Sequence, residues 1–244
     1  MRIGQREVGD GQPCYIIAEA GTNHVAIQKP RRLSKAMELV AAAKSAGADA
    51  IKFQLFTPHD PLFCPMPGDE KRINRWNDTL MRFEAWRQVK ERCDELGIEF
   101  LASAFQPTAV QWLKQLGVAA YKVASRAAAT YPYDEMPGPF IISNGMDMAV
   151  PEAGWRRESV ALQCISKYPT MLRWDDNRGL CGLSDHSGTI WPGLDAMARG
   201  CPVLEIHYAI DKDSAGNDAP VCLTVDQLKL LCEARDGFAA LRTH

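Results

Sequence analysis

The amino-acid sequence predicts an α/β protein that folds as a (β/α)8 barrel, the TIM-barrel architecture, preceded by an N-terminal hairpin. Eight short and almost wholly apolar runs recur along the chain, which is typical of parallel strands buried on both faces. Helical patterns or short crossovers that contain Pro and Gly separate these runs. The length of 244 residues also suits one such barrel. We therefore expect residues 1–244 to form a single barrel domain.

The overall composition is ordinary for a globular protein, with 46% hydrophobic and 24% charged residues. The net charge is −2 and charges of both signs are interleaved, so we expect no nucleic-acid partner. No apolar run is long enough to span a bilayer, and the N-terminus lacks the apolar core of a signal peptide. The absence of such a run also leads us to expect no membrane partner. The 8 cysteines are scattered without a C-x-x-C pair, which favours a reducing, cytoplasmic location.

The first elements of the chain are a hairpin and a buried strand. The Asp-Gly pair at 10–11 is a turn dipeptide between two short runs, so we expect the hairpin to turn there. Residues 15–19 are almost wholly apolar and predict the first strand of the barrel. This strand ends in a polar sequence from Glu19 to His24, which places a carboxylate, an amide and an imidazole together.

A helix and the second strand come next. The helix is expected to begin at Pro30 and to run to about residue 46, with Gly47 ending it. Residues 48–54 then form the second strand, which closes on Lys52 and Gln54. Because these two residues alternate at period two, their side chains share a face of the strand.

A long segment at 56–77 follows the second strand and contains four prolines. Loops of this length in compact domains are usually functional or disordered, and the sequence leaves open whether this one is a lid or a solvated insertion. Arg72, Arg75 and Trp76 lie on its later part.

The remaining elements continue the alternation of strand and helix. Further strands are predicted at 98–103, 118–125, 140–143, 160–164, within 181–188 and at 203–208, and further helices at 83–96, 108–116, 191–199 and 224–241. Thr108 is expected to cap its helix. The crossovers after the fourth and fifth strands contain Pro and Gly and are too short for full helices.

Polar side chains cluster at the carboxyl ends of these strands, which is where TIM barrels carry their active sites. Two lysines and several serines there indicate a phosphate site, because buried ammonium groups need an anion to compensate them. His186 and His207 end neighbouring strands and could share a divalent metal ion, with Glu19 nearby. The residues alone therefore predict metal-assisted chemistry on a phosphorylated small molecule, and manganese, iron, cobalt and zinc all suit the two histidines.

Several ordered motifs resemble those of the N-acetylneuraminate (sialic acid) synthase family. They are residues 17–24 (IAEAGTNH), 46–54 (AGADAIKFQ), 120–125 (AYKVAS), 168–170 (YPT), 182–186 (GLSDH) and 205–208 (EIHY). The similarity extends from about Gly11 to about Asp236 and covers nearly the whole chain. Each motif alone is weak, whereas together and in this order they are specific.

The resemblance implies a transferase that condenses phosphoenolpyruvate with an aldose or amino-sugar aldehyde, giving a 2-keto-3-deoxy acid and phosphate. It assigns the catalytic roles to Glu19, His186 and His207, with the two histidines as ligands of a divalent metal, manganese. It assigns phosphoenolpyruvate binding to Lys52, Ser103, Lys122, Ser125, Ser143 and Ser184, and acceptor binding to Gln54, Tyr168 and Asp218. The implied partners are these two small molecules.

The chain departs from the family pattern on the acceptor side. Arg126-Ala127 stands where the family has a Gly-Glu pair, and Lys167 replaces a usual apolar residue. Arg126 or Lys167 is therefore a candidate to meet an acidic group on a different aldehyde. The resemblance also covers the barrel only, without the C-terminal antifreeze-like domain of the family, so any homodimer would use the barrel surface.

Two alternatives stay open on the sequence alone. The first is a non-catalytic barrel that binds a phosphorylated ligand and acts as a partner or regulator, which the missing Glu favours. Retention of Glu19, both lysines and both histidines argues against it, because a decayed site would be expected to lose some of them. The second is an enzyme that makes 3-deoxy-octulosonic or heptulosonic phosphates, against which the GLSDH and YPT motifs speak.

Overall fold

A computed structural model describes residues 1–25, 31–58, 60–155, 158–175 and 181–242 of the chain. It contains the strands β1 (Arg2–Ile3), β2 (Arg6–Glu7), β3 (Tyr15–Gly21), β4 (Ala50–Leu55), β5 (Glu99–Ala104), β6 (Tyr121–Val123), β7 (Phe140–Ser143), β8 (Ser159–Gln163), β9 (Cys181–Asp185) and β10 (Val203–His207). Strands β3 to β10 pair in parallel and in chain order, and β10 closes the ring on β3. The predicted eight-stranded barrel is confirmed.

The N-terminal hairpin exists, but its predicted turn is wrong. Strands β1 and β2 pair antiparallel around Gly4-Gln5, so both lie before the Asp-Gly pair at 10–11. Gly4 has a φ of +57°, which a tight turn needs and which glycine adopts without steric cost. Ile3 and Val8 are buried against the residues at the amino ends of the barrel strands, so the hairpin closes the bottom of the barrel.

The helices are α1 (Arg31–Ala46), α2 (Asp69–Asn77), α3 (Phe83–Leu96), α4 (Pro107–Leu116), α5 (Trp191–Ala198) and α6 (Val225–Arg242). Gly47, Gly97 and Gly117 follow α1, α3 and α4 with positive φ, as helix-ending glycines do. Pro30, where the first helix was expected to begin, lies outside the described residues. Thr108 does not cap α4, because the helix begins at Pro107 and the Thr108 amide donates instead to Asp60.

Two connections shape the mouth of the barrel. The long segment after β4 is predicted to be a loop, but it contains a helix, α2. The crossovers after β6 and β7 are short, as predicted: in the part of the chain that the structure describes, they hold only the 3₁₀ turns Ser125–Ala127, Tyr133–Glu135 and Glu152–Gly154.

All eight cysteines lie within the described ranges, and each is buried and outside any disulfide there. No helix in these ranges is both long and apolar enough to cross a membrane.

Candidate active site

A cavity of about 540 Å³ opens at the carboxyl ends of the barrel strands. Its wall includes all twelve residues that the sequence predicts for the site: Glu19, Lys52, Gln54, Ser103, Lys122, Ser125, Ser143, Tyr168, Ser184, His186, His207 and Asp218. Strand register explains much of this convergence, because residues that face one another across parallel strands point the same way. Glu19 pairs in register with Lys52 on one side and with His207 on the other.

The inner part of the cavity is an alternating set of buried charges. The Lys52 ammonium lies 2.6 Å from Glu19 Oε2 and 3.6 Å from Glu205 Oε2. The Lys122 ammonium lies 3.6 Å from the same Glu205 oxygen and donates to Ser143 Oγ at 2.7 Å. These two lysines and two glutamates therefore compensate one another in a place that water hardly reaches.

Glu205 was not among the predicted site residues, although it stands at the centre of this set. Besides the two lysines, its Oε1 accepts a hydrogen bond from Ser184 Oγ at 2.9 Å. The missed signal is the alternation in Glu205-Ile206-His207, which puts Glu205 on the same face of β10 as the predicted metal ligand His207.

Burial and neighbouring charges move the pKa values of these groups in opposite directions. Burial raises the pKa of Glu19, and the nearby Lys52 ammonium only partly opposes this effect. Burial would also raise the pKa of Glu205, but Lys122, Lys52 and Ser184 lower it to about 2. Burial lowers the pKa of Lys122. Glu205 is therefore a permanent anion, whereas the Glu19 carboxylate is the more basic one.

His186 and His207 lie side by side, with ring centroids 5.4 Å apart. His186 Nδ1 is 2.9 Å from the Ile165 carbonyl oxygen, so Nδ1 carries the hydrogen and Nε2 has a lone pair. Tyr168 stacks on the His186 ring at 4.3 Å, and its hydroxyl lies 3.1 Å from Nε2. Burial lowers the pKa of both histidines, that of His186 to about 4. Both rings are therefore neutral near pH 7.

These two neutral imidazoles fit a divalent metal. His207 Nδ1 is buried and has no hydrogen-bond partner among the described residues, and His186 Nε2 would bind a metal once the Tyr168 hydroxyl turns away from its lone pair. The carbonyl contact of His186 is the kind of second interaction that orients a metal-binding histidine. Nowhere in the described ranges do three His, Cys, Asp or Glu residues gather as a complete ligand set, so solvent or substrate would supply the remaining ligands.

Two of the three predicted acceptor residues, Gln54 and Asp218, meet around Gly21, whose φ is +52°. A side-chain carbon at Gly21 would lie 3.4 Å from Glu19 Oε1, 3.4 Å from Asp218 Oδ2 and 3.6 Å from Gln54 Nε2. Gln54 Nε2 also donates to Glu19 Oε1 at 3.4 Å. A glycine here thus leaves open a polar recess between Glu19, Gln54 and Asp218.

The outer part of the cavity is covered by α2. Trp76 of this helix stacks on Phe56 with ring centroids 4.6 Å apart, and Phe56 stacks on Phe105 at 5.0 Å. This column of rings packs α2 against the ends of β4 and β5. Because Arg72, Arg75 and Trp76 line the cavity, the segment after β4 covers the site rather than forming a solvated insertion.

Arg126 fastens α2 from the opposite side of the mouth. Its guanidinium donates to Asp69 Oδ2 at 2.6 Å, to Asp69 Oδ1 at 3.2 Å and to the Cys64 carbonyl at 2.8 Å, and it lies 5.5 Å from the Trp76 ring centroid. Asp69 also accepts from Arg72 and from the Met66 amide. Burial alone would raise the pKa of Asp69, but these hydrogen bonds lower it below 3.8.

Of the two residues suggested to meet an acidic group, Arg126 lies on the cavity wall and Lys167 does not. Arg126 does meet an acidic group, but that group is Asp69 of the same chain rather than part of an aldehyde. Lys167 is exposed and does not line the cavity.

Comparison with known proteins identifies relatives for almost the whole chain. The sequence model of the NeuB family matches residues 39–242. The chain is 30% identical to an N,N'-diacetyllegionaminic acid synthase from Legionella pneumophila, over 98% of this chain and 76% of that protein. It is 31% identical to an uncharacterised protein from Methanocaldococcus jannaschii, over 94% of this chain and 72% of that protein.

A solved structure agrees with this result. The crystal structure of the N-acetylneuraminic acid synthetase from Leptospira borgpetersenii superposes with a TM-score of 0.83 and 25% identity. The match covers all of this chain and 90% of that one.

Proposed function

Because the chain belongs to the NeuB family, we propose that it is a transferase that condenses phosphoenolpyruvate with a sugar aldehyde and releases phosphate. The products would be a 2-keto-3-deoxy acid of the sialic acid type and inorganic phosphate. The substrates would be these two small molecules.

One observation carries this proposal: two buried lysines, a row of hydroxyls, a basic carboxylate and two neutral histidines share one cavity. Lys52 and Lys122, with Ser103 and Ser143 beside them, offer the charge and donors that a phosphate group requires. Glu19 lies between this region and the recess at Gly21. The arrangement therefore supports two substrates bound side by side.

The reaction can be assigned to the residues of the chain. Carbon 3 of phosphoenolpyruvate attacks the aldehyde carbon, and the lysines and serines hold its phosphate and carboxylate in place. Water adds to carbon 2 as Glu19 takes its proton, because burial makes this carboxylate a better base. The resulting tetrahedral centre then expels phosphate. One water is consumed: its hydroxyl goes to carbon 2, and the proton that it loses to Glu19 ends on the aldehyde oxygen. When the tetrahedral centre collapses to the ketone, the hydroxyl proton leaves with the phosphate.

A divalent metal, manganese in this proposal, would be held by His186 and His207 and would supply positive charge for the developing alkoxide. Tyr168 holds the His186 ring in position by stacking on it.

The test is to incubate the protein with phosphoenolpyruvate, manganese and a panel of aldoses, and to measure phosphate release. We expect release only when both substrates are present, loss of activity after treatment with a chelator, and recovery on adding manganese. Lys122→Met should lower activity strongly, whereas Lys229→Met, a change of the same charge on the exposed face of α6, should leave it unchanged. If the protein binds phosphoenolpyruvate but no aldehyde in the panel leads to phosphate release, the proposal is refuted and a non-catalytic barrel is favoured.

A further inference from the structure

Cationic side chains outnumber acidic ones on the cavity wall, although the whole chain has a net charge of −2. Deep in the barrel, Lys52 and Lys122 are compensated by Glu19 and Glu205. The remaining cations lie at the mouth: Lys71, Arg72, Arg75 and Arg126. Two carboxylates lie near them: Asp218 on the described wall, and Asp69 just behind it, which pairs with Arg72 and Arg126. The positive excess therefore belongs to the mouth.

Among the cations at the mouth, Arg75 and Lys71 have no carboxylate partner in the described residues. Arg72 and Arg126 both bind Asp69. Arg75 Nη2 donates to the Ala215 carbonyl at 3.2 Å, and its other N–H groups have no partner in the described part of the chain. One edge of a planar guanidinium is thus fixed, while its other donors remain available at the cavity wall.

The Arg75 guanidinium lies against Gly216, where the missing side chain leaves room for it. A side-chain carbon there would lie 2.7 Å from Arg75 Nη2 and 2.9 Å from Nη1, which is too close for any residue with a side chain unless Arg75 moves. Gly216 also has φ 59° and ψ −126°, a conformation that residues other than glycine rarely adopt. Arg75 therefore spans the mouth from α2 to the segment that carries Asp218.

The position of Arg75 relates it to the acceptor rather than to phosphoenolpyruvate. The recess formed by Glu19, Gln54 and Asp218 adjoins the buried charges through Glu19, which contacts Lys52. Asp218 follows Gly216 by two residues, so the Arg75 guanidinium at Gly216 lies close to this recess. An acceptor whose aldehyde carbon lies near Glu19 would extend towards Arg75 with its far end.

We propose that the acceptor aldehyde carries an anionic oxygen group, a carboxylate or a phosphate, at the end remote from the aldehyde, and that Arg75 binds this group. Lys71, one helical turn before Arg75, adds positive charge at the same edge. This inference rests on the proposed function, because it names the class of the second substrate.

The experiment compares three forms of one sugar: the neutral hexose, its uronic acid and its 6-phosphate. The rate is followed by loss of the enol absorbance of phosphoenolpyruvate, so that phosphate on the acceptor does not interfere. We expect one or both anionic forms to be preferred in kcat/KM over the neutral hexose. The comparison of uronic acid with hexose 6-phosphate distinguishes a carboxylate from a phosphate.

The variant Arg75→Gln should lower kcat/KM for the preferred anionic acceptor by about tenfold to a hundredfold, as expected on loss of a hydrogen bond to a charged group. The KM for phosphoenolpyruvate and the rate with the neutral hexose should hardly change, which a general loss of structure would not allow. Arg82→Gln, the same change at an exposed position outside the cavity, is the matched control.

The possible results separate the two proposals. No turnover with any aldehyde refutes the proposed function itself. Turnover that is as fast with the neutral hexose as with both anionic forms leaves the function intact and overturns the anionic acceptor. An anionic preference that Arg75→Gln leaves unchanged overturns the role of Arg75.

Discussion

Replacing Arg126 with Met should free α2 from the mouth of the cavity without unfolding the barrel. The change removes both hydrogen bonds to Asp69, the bond to the Cys64 carbonyl and the contact with Trp76. Asp69 is then left with Arg72, whose side chain is 55% exposed, and the Met66 amide. Met retains the apolar stem of the side chain, so the main loss is charge and hydrogen bonding.

The size of the effect follows from burial. The side chains of Arg126 and Asp69 are only 14% and 8% exposed, so their interaction is poorly screened by solvent. Breaking a buried pair costs about 3–5 kcal/mol, and the two partners that Asp69 keeps reduce the expected loss to about 2–3 kcal/mol. A loss of about 2 kcal/mol corresponds to a roughly 30-fold rise in the fraction of molecules with α2 open.

Limited proteolysis under native conditions measures this opening, because α2 contains trypsin sites after Lys71, Arg72 and Arg75. We expect Arg126→Met to speed cleavage there by about 30-fold. Arg87→Met is the matched control, since its ion pair with Glu91 on α3 is about half exposed and should contribute below about 0.5 kcal/mol. Equal cleavage rates at α2 in the two variants would refute the role of Arg126.

Three further results are expected from other parts of the structure. In urea denaturation, Gly182→Ala should lower the free energy of unfolding by about 1–3 kcal/mol, because its new carbon would lie 2.4 Å from the Val203 carbonyl oxygen. Gly237→Ala, in open space on α6, should raise it by about 0.5–1 kcal/mol. Equal changes in the two variants would contradict the packing argument. The variant Glu205→Gln should bind inorganic phosphate about threefold to tenfold more tightly than the unchanged protein in calorimetry, because it removes an anion beside both lysines. Weaker binding would contradict this and would mean that Glu205 serves to orient the lysines. The folded pKa of Asp69 lies below its unfolded value, so its bond to Arg126 is fully formed above about pH 4 and is lost as the pH falls through the folded pKa. Pepsin cleavage at α2 should therefore rise more steeply on lowering the pH than it does in Arg126→Met at the same pH values, and equal rises would count against the ion pair.

The sequence predicted most of the barrel because its strands are buried on both faces. Such strands are short apolar runs, and helix-ending glycines such as Gly97 and Gly117 mark where the next strand begins. The hairpin turn was misplaced because Asp-Gly is the stronger turn dipeptide, whereas Gly4-Gln5 is favoured by the burial of Ile3. Local preference indicated one turn, and tertiary packing selected the other.

The prediction of the site was uneven for a similar reason. The positions on strands converge as expected, since alternation and register fix where a strand side chain points. Helix α2 was missed because it follows a segment with four prolines, although the acidic first turn of Asp69 and Glu70 is a helix-start signal. The partner of Arg126 could not be inferred, because Asp69 lies 57 residues away in the chain.

The inner and outer halves of the cavity are therefore built by different means. The inner half depends on strand register. Changing one of its four buried charges leaves another charge uncompensated, so substitutions at these four residues are costly. The outer half depends on a polar helix that three aromatic rings and one ion pair hold in place. Residues on that helix can change without disturbing the buried charges. The chemistry proposed for phosphoenolpyruvate and the choice of acceptor are thus physically separable. Arg126 contacts none of the four buried charges in the described structure and contributes to the choice of acceptor by holding α2 in place.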